Sequence, residues 1–286
     1  MILATKTLTA INQVSLVKQA KEPPRLHLGA SAIGEECRRK VFYSYRWASS
    51  NFFEARMLRL FNRGHREEAA IIALLRAAGV VVYDAGESGE LKSSMRISAH
   101  GGHFGGTPDG VATNVPDLPP DEPCLLEFKT HNTKAFELLI KSGVYESNRK
   151  YYIQMQVYMH ELDLKWALYC GVCKDDDRLH MQMVEYNRQM ALTYLQHGHD
   201  IIYATEPPPR INESPGFWKC KFCNHAQVCH FGAPPLLNCR TCEYANPIPN
   251  GLWACARNKD EIHSCPQSGC TEYKLNANHF KDEVPF

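Results

Sequence analysis

Gly105-Gly106-Thr107-Pro108-Asp109-Gly110-Val111 and, beyond a proline-rich stretch, Cys124-Leu125-Leu126-Glu127-Phe128-Lys129-Thr130 decide how this chain is read. Asp109 and Glu127 stand at the ends of two apolar runs that read as neighbouring strands. Residues two apart on a strand share a face, so Lys129 lies beside Glu127. A pair of carboxylates suits hard divalent cations, and a lysine beside them can activate water or steady a pentavalent phosphate. On an ordinary amphipathic strand an E-x-K is a solvated face, and Pro-Asp-Gly is ordinarily a turn. Here Leu125, Leu126 and Phe128 surround the charges with almost no alternation. Glu127 and Lys129 therefore belong to a mostly buried strand, where unpaired charge is costly and ionisable clusters mark sites.

Glu127-Phe128-Lys129 behind a Pro-Asp turn resembles the PD-(D/E)XK nuclease superfamily, and further residues match its RecB-like branch. Arg63-Gly64-His65-Arg66 leads into a helical run over 67–78 that stops at Gly79. In RecB-like nucleases a helix of this kind supplies a metal-site residue. His65 is the match, with Glu68 one turn further on the same face. Tyr151 to Leu162 reads as an amphipathic helix with Gln154 and Tyr158 four apart, resembling the family's Q-x-x-x-Y motif. The resemblance implies that Asp109, Glu127, His65 and the Phe128 carbonyl hold Mg2+ or Mn2+. It further implies that Lys129 orients water or stabilises charge, that Gln154 and Tyr158 position the strand, and that Glu68 binds metal or orients His65.

The chain has twelve cysteines and no secretory leader or bilayer-length apolar stretch, so a reducing, cytoplasmic setting with metal-binding thiols is expected. Cys220, Cys223 and Cys229 form C-x2-C-x5-C, one ligand short of a complete set, and Cys37 is the candidate fourth. Four thiolates suit zinc or a cubane. An early cysteine with a late C-x2-C-x5-C resembles the AddB-type iron-sulphur nucleases, which implies a [4Fe-4S] cluster. Cys239, Cys242, Cys255 and Cys270 form a second set, read as a Zn2+ knuckle whose folding energy comes from the metal; Cys265 is the spare. Cys170 and Cys173 lie in a strand-like run whose odd separation points them to opposite faces, and Cys124 reads as a small buried hydrophobe.

Charge is uneven along the chain. Residues 1–66 hold twelve Lys/Arg and four Asp/Glu, a net +8, although the whole chain carries only +1. Arg38, Arg39, Lys40, Arg46, Arg56, Arg59, Arg63 and Arg66 interleave with Phe42, Tyr43, Tyr45, Trp47, Phe52, Phe53 and Phe61. Arginine among aromatics can grip phosphates and stack on bases; it can equally be a helical surface packed on a core.

Periodicity predicts helices near 31–48, 52–78, 133–142, 150–162 and 188–205, and strands near 80–84, 94–100, 105–114, 123–130, 165–174 and 178–186. The expected fold is α/β, with the mixed, helix-flanked sheet that the resemblance requires. The expected divisions are an N-terminal segment 1–27, a nuclease domain 28–232 and a zinc knuckle with tail over 236–286. The expected activity is a metal-dependent DNA exonuclease of phage or bacterial recombination and processing, acting on linear ends or single strands, with a recombination protein as a further partner and no membrane. A nuclease-fold DNA-binding subunit without catalysis and an endonuclease are the competing classes.

Overall fold

The computed structural model describes residues 3–50, 52–84, 95–257, 261–262 and 270–280. In chain order it contains α1 (Thr5–Lys21), β1 (Leu28–Gly29), α2 (Ala30–Ile33), α3 (Arg38–Tyr45), α4 (Ala55–Ala77), β2 (Val81–Asp84), β3 (Ile97–Ala99), β4 (Phe104–Gly106), β5 (Gly110–Thr113) and β6 (Cys124–His131). There follow α5 (Thr133–Ser147), α6 (Arg149–Glu161), β7 (Trp166–Cys173), β8 (Leu179–Glu185), α7 (Arg188–Ile202), α8 (Trp218–Lys221), α9 (Ala226–His230), β9 (Ala245–Ile248), β10 (Leu252–Cys255), β11 (Glu261–Ile262) and α10 (Ala277–Phe280). No helix among the described residues is long and apolar enough to cross a membrane.

The central sheet has the order β2-β5-β6-β7-β8, with β6 and β7 parallel and the other pairs antiparallel. The parallel pair is buried on both faces, which is why these strands read as continuous apolar runs rather than alternating ones. Leu126 and Phe128 point to one side, into a cluster with Ile71, Ile72 and Leu75 of α4. Leu125 and Tyr169 point to the other, against Phe136 and Leu139 of α5 and Ile153 and Val157 of α6. Each such buried aliphatic side chain contributes roughly 1.5–3 kcal/mol. The side-chain alternation of β6 therefore aims Glu127 and Lys129 at α6. Cys170 and Cys173 fall in opposite clusters, and Cys124 is fully buried.

Two expected elements are divided, and a third runs past its expected end. The 31–48 helix breaks between Ile33 and Arg38, where Gly34 presses on the backbone of Lys150 so closely that a Cβ would stand 2.9 Å from its Cα. The 105–114 strand is two: β4 joins a small sheet with β1 and β3, and β5 joins the main sheet. Thr107-Pro108-Asp109 separates them, because a proline has no N–H to give a ladder. The helix expected to end at 142 does break there. Gly143 at φ +70° turns the chain, and the Val144 amide donates to Gln182 Oε1 at 2.9 Å before α5 resumes. The N-terminal segment contains α1, which buries no residue of its own and lies along α4.

Beyond residue 232, several described residues pack against the part of the chain before it. Arg240, 1% exposed, donates to the carbonyls of Tyr45 (2.9 Å) and Leu26 (2.6 Å) and lies 3.9 Å over the Trp47 ring. Trp253 packs between Tyr45 and His103, and His103 Nε2 bonds the Ile248 carbonyl at 2.7 Å. Gly102 and Gly251 approach so closely that a Cβ on Gly102 would meet the Gly251 nitrogen at 2.6 Å. The segment is too poor in aliphatic residues for a core of its own, so it completes the core around α3 instead.

His279 of α10 is seated edge-on against Phe42, with the ring centroids 5.2 Å apart. Burial, and secondarily the Arg46 charge, lower its pKa to about 3. A lowered histidine contributes stability that is complete above its unfolded pKa of about 6.5 and is lost as pH falls through the folded value. Acidification from pH 7 to 4 should therefore release α10, at a cost on the order of a few kcal/mol. Amide protection factors at residues 277–280, each taken against the intrinsic exchange rate at the same pH, check this, and protection unchanged between pH 7 and 4 refutes it.

Candidate active site and cysteine cavities

Glu127 is fully buried. Its Oε2 accepts from Gln154 Nε2 at 3.1 Å, and its Oε1 lies against Lys129 Nζ without accepting a well-aligned hydrogen bond. Lys129 Nζ also donates to the Phe128 carbonyl at 3.0 Å and stands 3.8 Å from Asp109 Oδ2. Asp109 is fixed by the Phe128 amide, which donates to its Oδ2 at 2.8 Å. One cationic atom is thus ringed by two carboxylates and a carbonyl. Burial pushes the Glu127 carboxyl above the usual carboxylate range, with Asp109 and Glu68 adding to the effect and Lys129 opposing it. The carboxylates of Glu127 and Asp109 hold the Lys129 ammonium above its ordinary value against its own desolvation.

The sequence pattern brought four of its candidates, Asp109, Glu127, Lys129 and Gln154, to one place. Tyr158 supports them from the same helix face: its hydroxyl donates to the Thr107 carbonyl at 3.1 Å and so holds the turn that presents Asp109. Gly106 has to be a glycine because a Cβ there would collide with the Tyr158 hydroxyl. His65 does not join the group as expected. Its side chain is 75% exposed and its Nδ1 pairs with Glu68 Oε2 at 3.4 Å. Glu68 is near enough for its charge to act on Glu127.

Sequence reasoning missed Tyr151, whose ring lies under the Lys129 ammonium with 5.3 Å between Nζ and the ring centroid. It was findable: Tyr151, Gln154 and Tyr158 are three and four apart and share one face of α6. Behind it, Tyr169 stacks on Tyr151 and its hydroxyl bonds His131 Nε2 at 2.7 Å. Burial first, and the neighbouring Lys129 next, lower the His131 pKa.

Cys37, Cys220, Cys223 and Cys229 line one cavity of about 870 Å³. Cys37 caps α3 and accepts from the Lys40 amide at 3.4 Å. The Cys223 amide donates to the Cys220 carbonyl at 3.0 Å, folding the C-x2-C into a tight turn. Burial, followed by the closeness of Cys37 and Cys229, pushes the Cys220 thiol up. Cys223 is raised by burial above all, with Cys37 and Cys229 contributing. Cys239, Cys242, Cys255 and Cys270 line a second, much smaller cavity of about 20 Å³. Cys265 lies outside the described residues. As their side chains are placed, no three His, Cys, Asp or Glu among the described residues form a ready single-ion site.

The basic residues of the first quarter divide into two groups. Arg46 is buried and donates to the Ile202 and Ala204 carbonyls, and Arg38 pairs with Asp200. Arg56, Arg59, Arg63 and Arg66 lie on α4, which also carries exposed Phe61; Phe61 packs edge-on with the exposed Phe53.

No family model matches the chain, and no curated protein matches it. Among solved structures, the protein SSO0001 aligns at 13% identity with a TM-score of 0.46, covering 78% of this chain and 96% of that one. An alkaline exonuclease from Laribacter hongkongensis aligns at 17% identity and 0.44, covering 66% and 90%; its complex with dAMP gives 17%, 0.41, 68% and 90%. Likeness at this distance assigns no reaction.

Proposed function

We propose that the chain is a Mg2+- or Mn2+-dependent deoxyribonuclease that degrades DNA from its ends. The observation that carries this reading is the ring of oxygens from Glu127, Asp109 and Phe128 around the Lys129 ammonium. A positive charge is already favoured there, and Glu127 Oε1 is a buried acceptor lacking an aligned donor. These residues fit a hard cation, which takes oxygen ligands. When bound, the metal polarises the scissile phosphate and lowers the pKa of its water. Gln154 fixes the rotamer of Glu127, the Phe128 amide fixes Asp109, and Tyr158 holds the turn. Lys129, on its flexible four-carbon stem above Tyr151, is the group within reach of an incoming phosphate to steady charge in the transition state.

DNA reaches the site along α4. This helix carries Glu68 beside the catalytic carboxylates at one part of its length and Arg56, Arg59 and Phe61 towards its start, so one element offers phosphate grips, a stacking ring and the route to Glu127.

The larger cysteine cavity fits a [4Fe-4S] cluster. Cys37, Cys220, Cys223 and Cys229 would hold it, and the cavity that they line has room for a group larger than one ion. Raised, crowded thiols gain when a cation takes up their charge. The test is anaerobic purification, visible absorption, and digestion of end-labelled linear and circular DNA with Mg2+, Mn2+ or chelator. Metal-dependent loss of linear but not circular DNA is expected. Cleavage of closed circles makes the protein an endonuclease, and the absence of any cleavage with metal removes the reading.

A further inference from the structure

We propose that Cys239, Cys242, Cys255 and Cys270 bind a single zinc ion that pins the Cys239–Cys242 turn, the end of β10 and residues 270–276 together, a site independent of the nuclease reading. Three separate stretches of chain bring these thiols to one cavity. Asn238 caps a short turn over Cys239–Thr241, and the Cys242 amide donates to the Cys239 carbonyl at 3.0 Å. This is the turn that the other C-x2-C adopts at Cys220 and Cys223. Such a turn presents two sulphurs to one side, as tetrathiolate sites require. The third thiol comes from the hairpin: Cys255 ends β10 directly across from Ala245 on β9, three residues after Cys242. The fourth arrives with the returning segment. The Glu243 amide donates to the Lys274 carbonyl at 2.9 Å, the Asn276 amide to the Thr241 carbonyl at 3.0 Å, and Cys242 forms an antiparallel bridge with Leu275. Tyr273, whose amide bonds the Cys270 carbonyl at 3.0 Å, carries that cysteine to the cavity wall.

Size separates this cavity from the larger one. About 20 Å³ is room for one water-sized occupant, since a single water needs roughly 10–15 Å³ of such space. A cubane does not fit, and one tetrahedral ion does. None of the four is bridged by a disulfide. Rotation about Cα–Cβ between staggered positions is the adjustment by which such thiols would close on an ion. Soft sulphur ligands in a tetrahedral set select zinc among the common divalent metals. The remaining polar pair on the wall, Arg257 and Glu272, is closed on itself at 3.1 Å and does not compete for the ion.

Metal analysis of the purified full-length protein should find one zinc per chain beside the iron. Cys242→Ser and Cys255→Ser should each lose the zinc, keep the iron and its visible absorption, and melt at least ~5 °C lower. Cys265→Ser should keep the zinc. Protein grown in cobalt should show the visible bands of a tetrahedral thiolate Co2+ in its difference spectrum against the zinc form, a readout that needs no variant to fold. Absence of zinc together with absence of those bands overturns the proposal. So does full zinc in Cys255→Ser, and loss of zinc from Cys265→Ser with retention in Cys270→Ser overturns the ligand set.

Discussion

Lys129→Ala protein should fold, bind DNA and cleave it at least ~10²–10³-fold more slowly than the parent, because it removes the one cation that stands among the site's oxygens. Glu127→Gln should be as inactive or more so, since a neutral amide is a far poorer ligand for a divalent ion. The two variants differ in stability in a way a merely structural role does not produce. Glu127 is a buried carboxyl whose folded pKa is raised by desolvation. Its contribution to stability is complete below the unfolded pKa and is lost as pH rises through the raised value. Metal-free wild type should therefore lose stability from the carboxylate range upward, and Glu127→Gln should flatten that slope while keeping the Gln154 contact to a carbonyl oxygen. Single-turnover cleavage and chelator-treated melts against pH measure both. Near-normal turnover in Lys129→Ala sinks the assignment.

The second large effect concerns the far end of the chain. Deletion after Phe231 should not leave a working enzyme but a protein that aggregates or melts without cooperativity. It strips the partner from the rings of Tyr45 and Trp47, exposes the Leu26 and Tyr45 carbonyls that Arg240 satisfies, and empties the place of Trp253. Loss of a buried tryptophan alone typically costs 3–5 kcal/mol, about a third of a domain's stability or more. Arg240→Met isolates one part: it keeps much of the volume and orphans two carbonyls, for about 2–4 kcal/mol. Urea titration followed by Trp fluorescence reads both. A truncated chain that melts as sharply and as high as the full one refutes the packing argument.

The buried charges of β6 were legible because burial and charge conflict there: Glu127 and Lys129 stand amid Leu125, Leu126 and Phe128. Gln154 and Tyr158 were legible from helical spacing. The role of Tyr151 was visible in the same spacing but looks like any half-buried aromatic. A motif fixes order along the chain and not the direction of a side chain, and that of His65 faces solvent beside Glu68. The attachment of Arg240, Trp253 and His279 to α3 was illegible for a deeper reason. It is carried by arginine, histidine and asparagine packed on aromatics, residues that a hydrophobic pattern scores as surface.

Arg240 makes its bonds to residues 195 and 214 positions earlier. A contact of that span forms late, since the closure entropy of the intervening chain must be met first. On the ribosome, α3 and the strands of the central sheet emerge long before their last partner is made. The nascent chain therefore stays half-cored around α3 until Arg240 and Trp253 have been made.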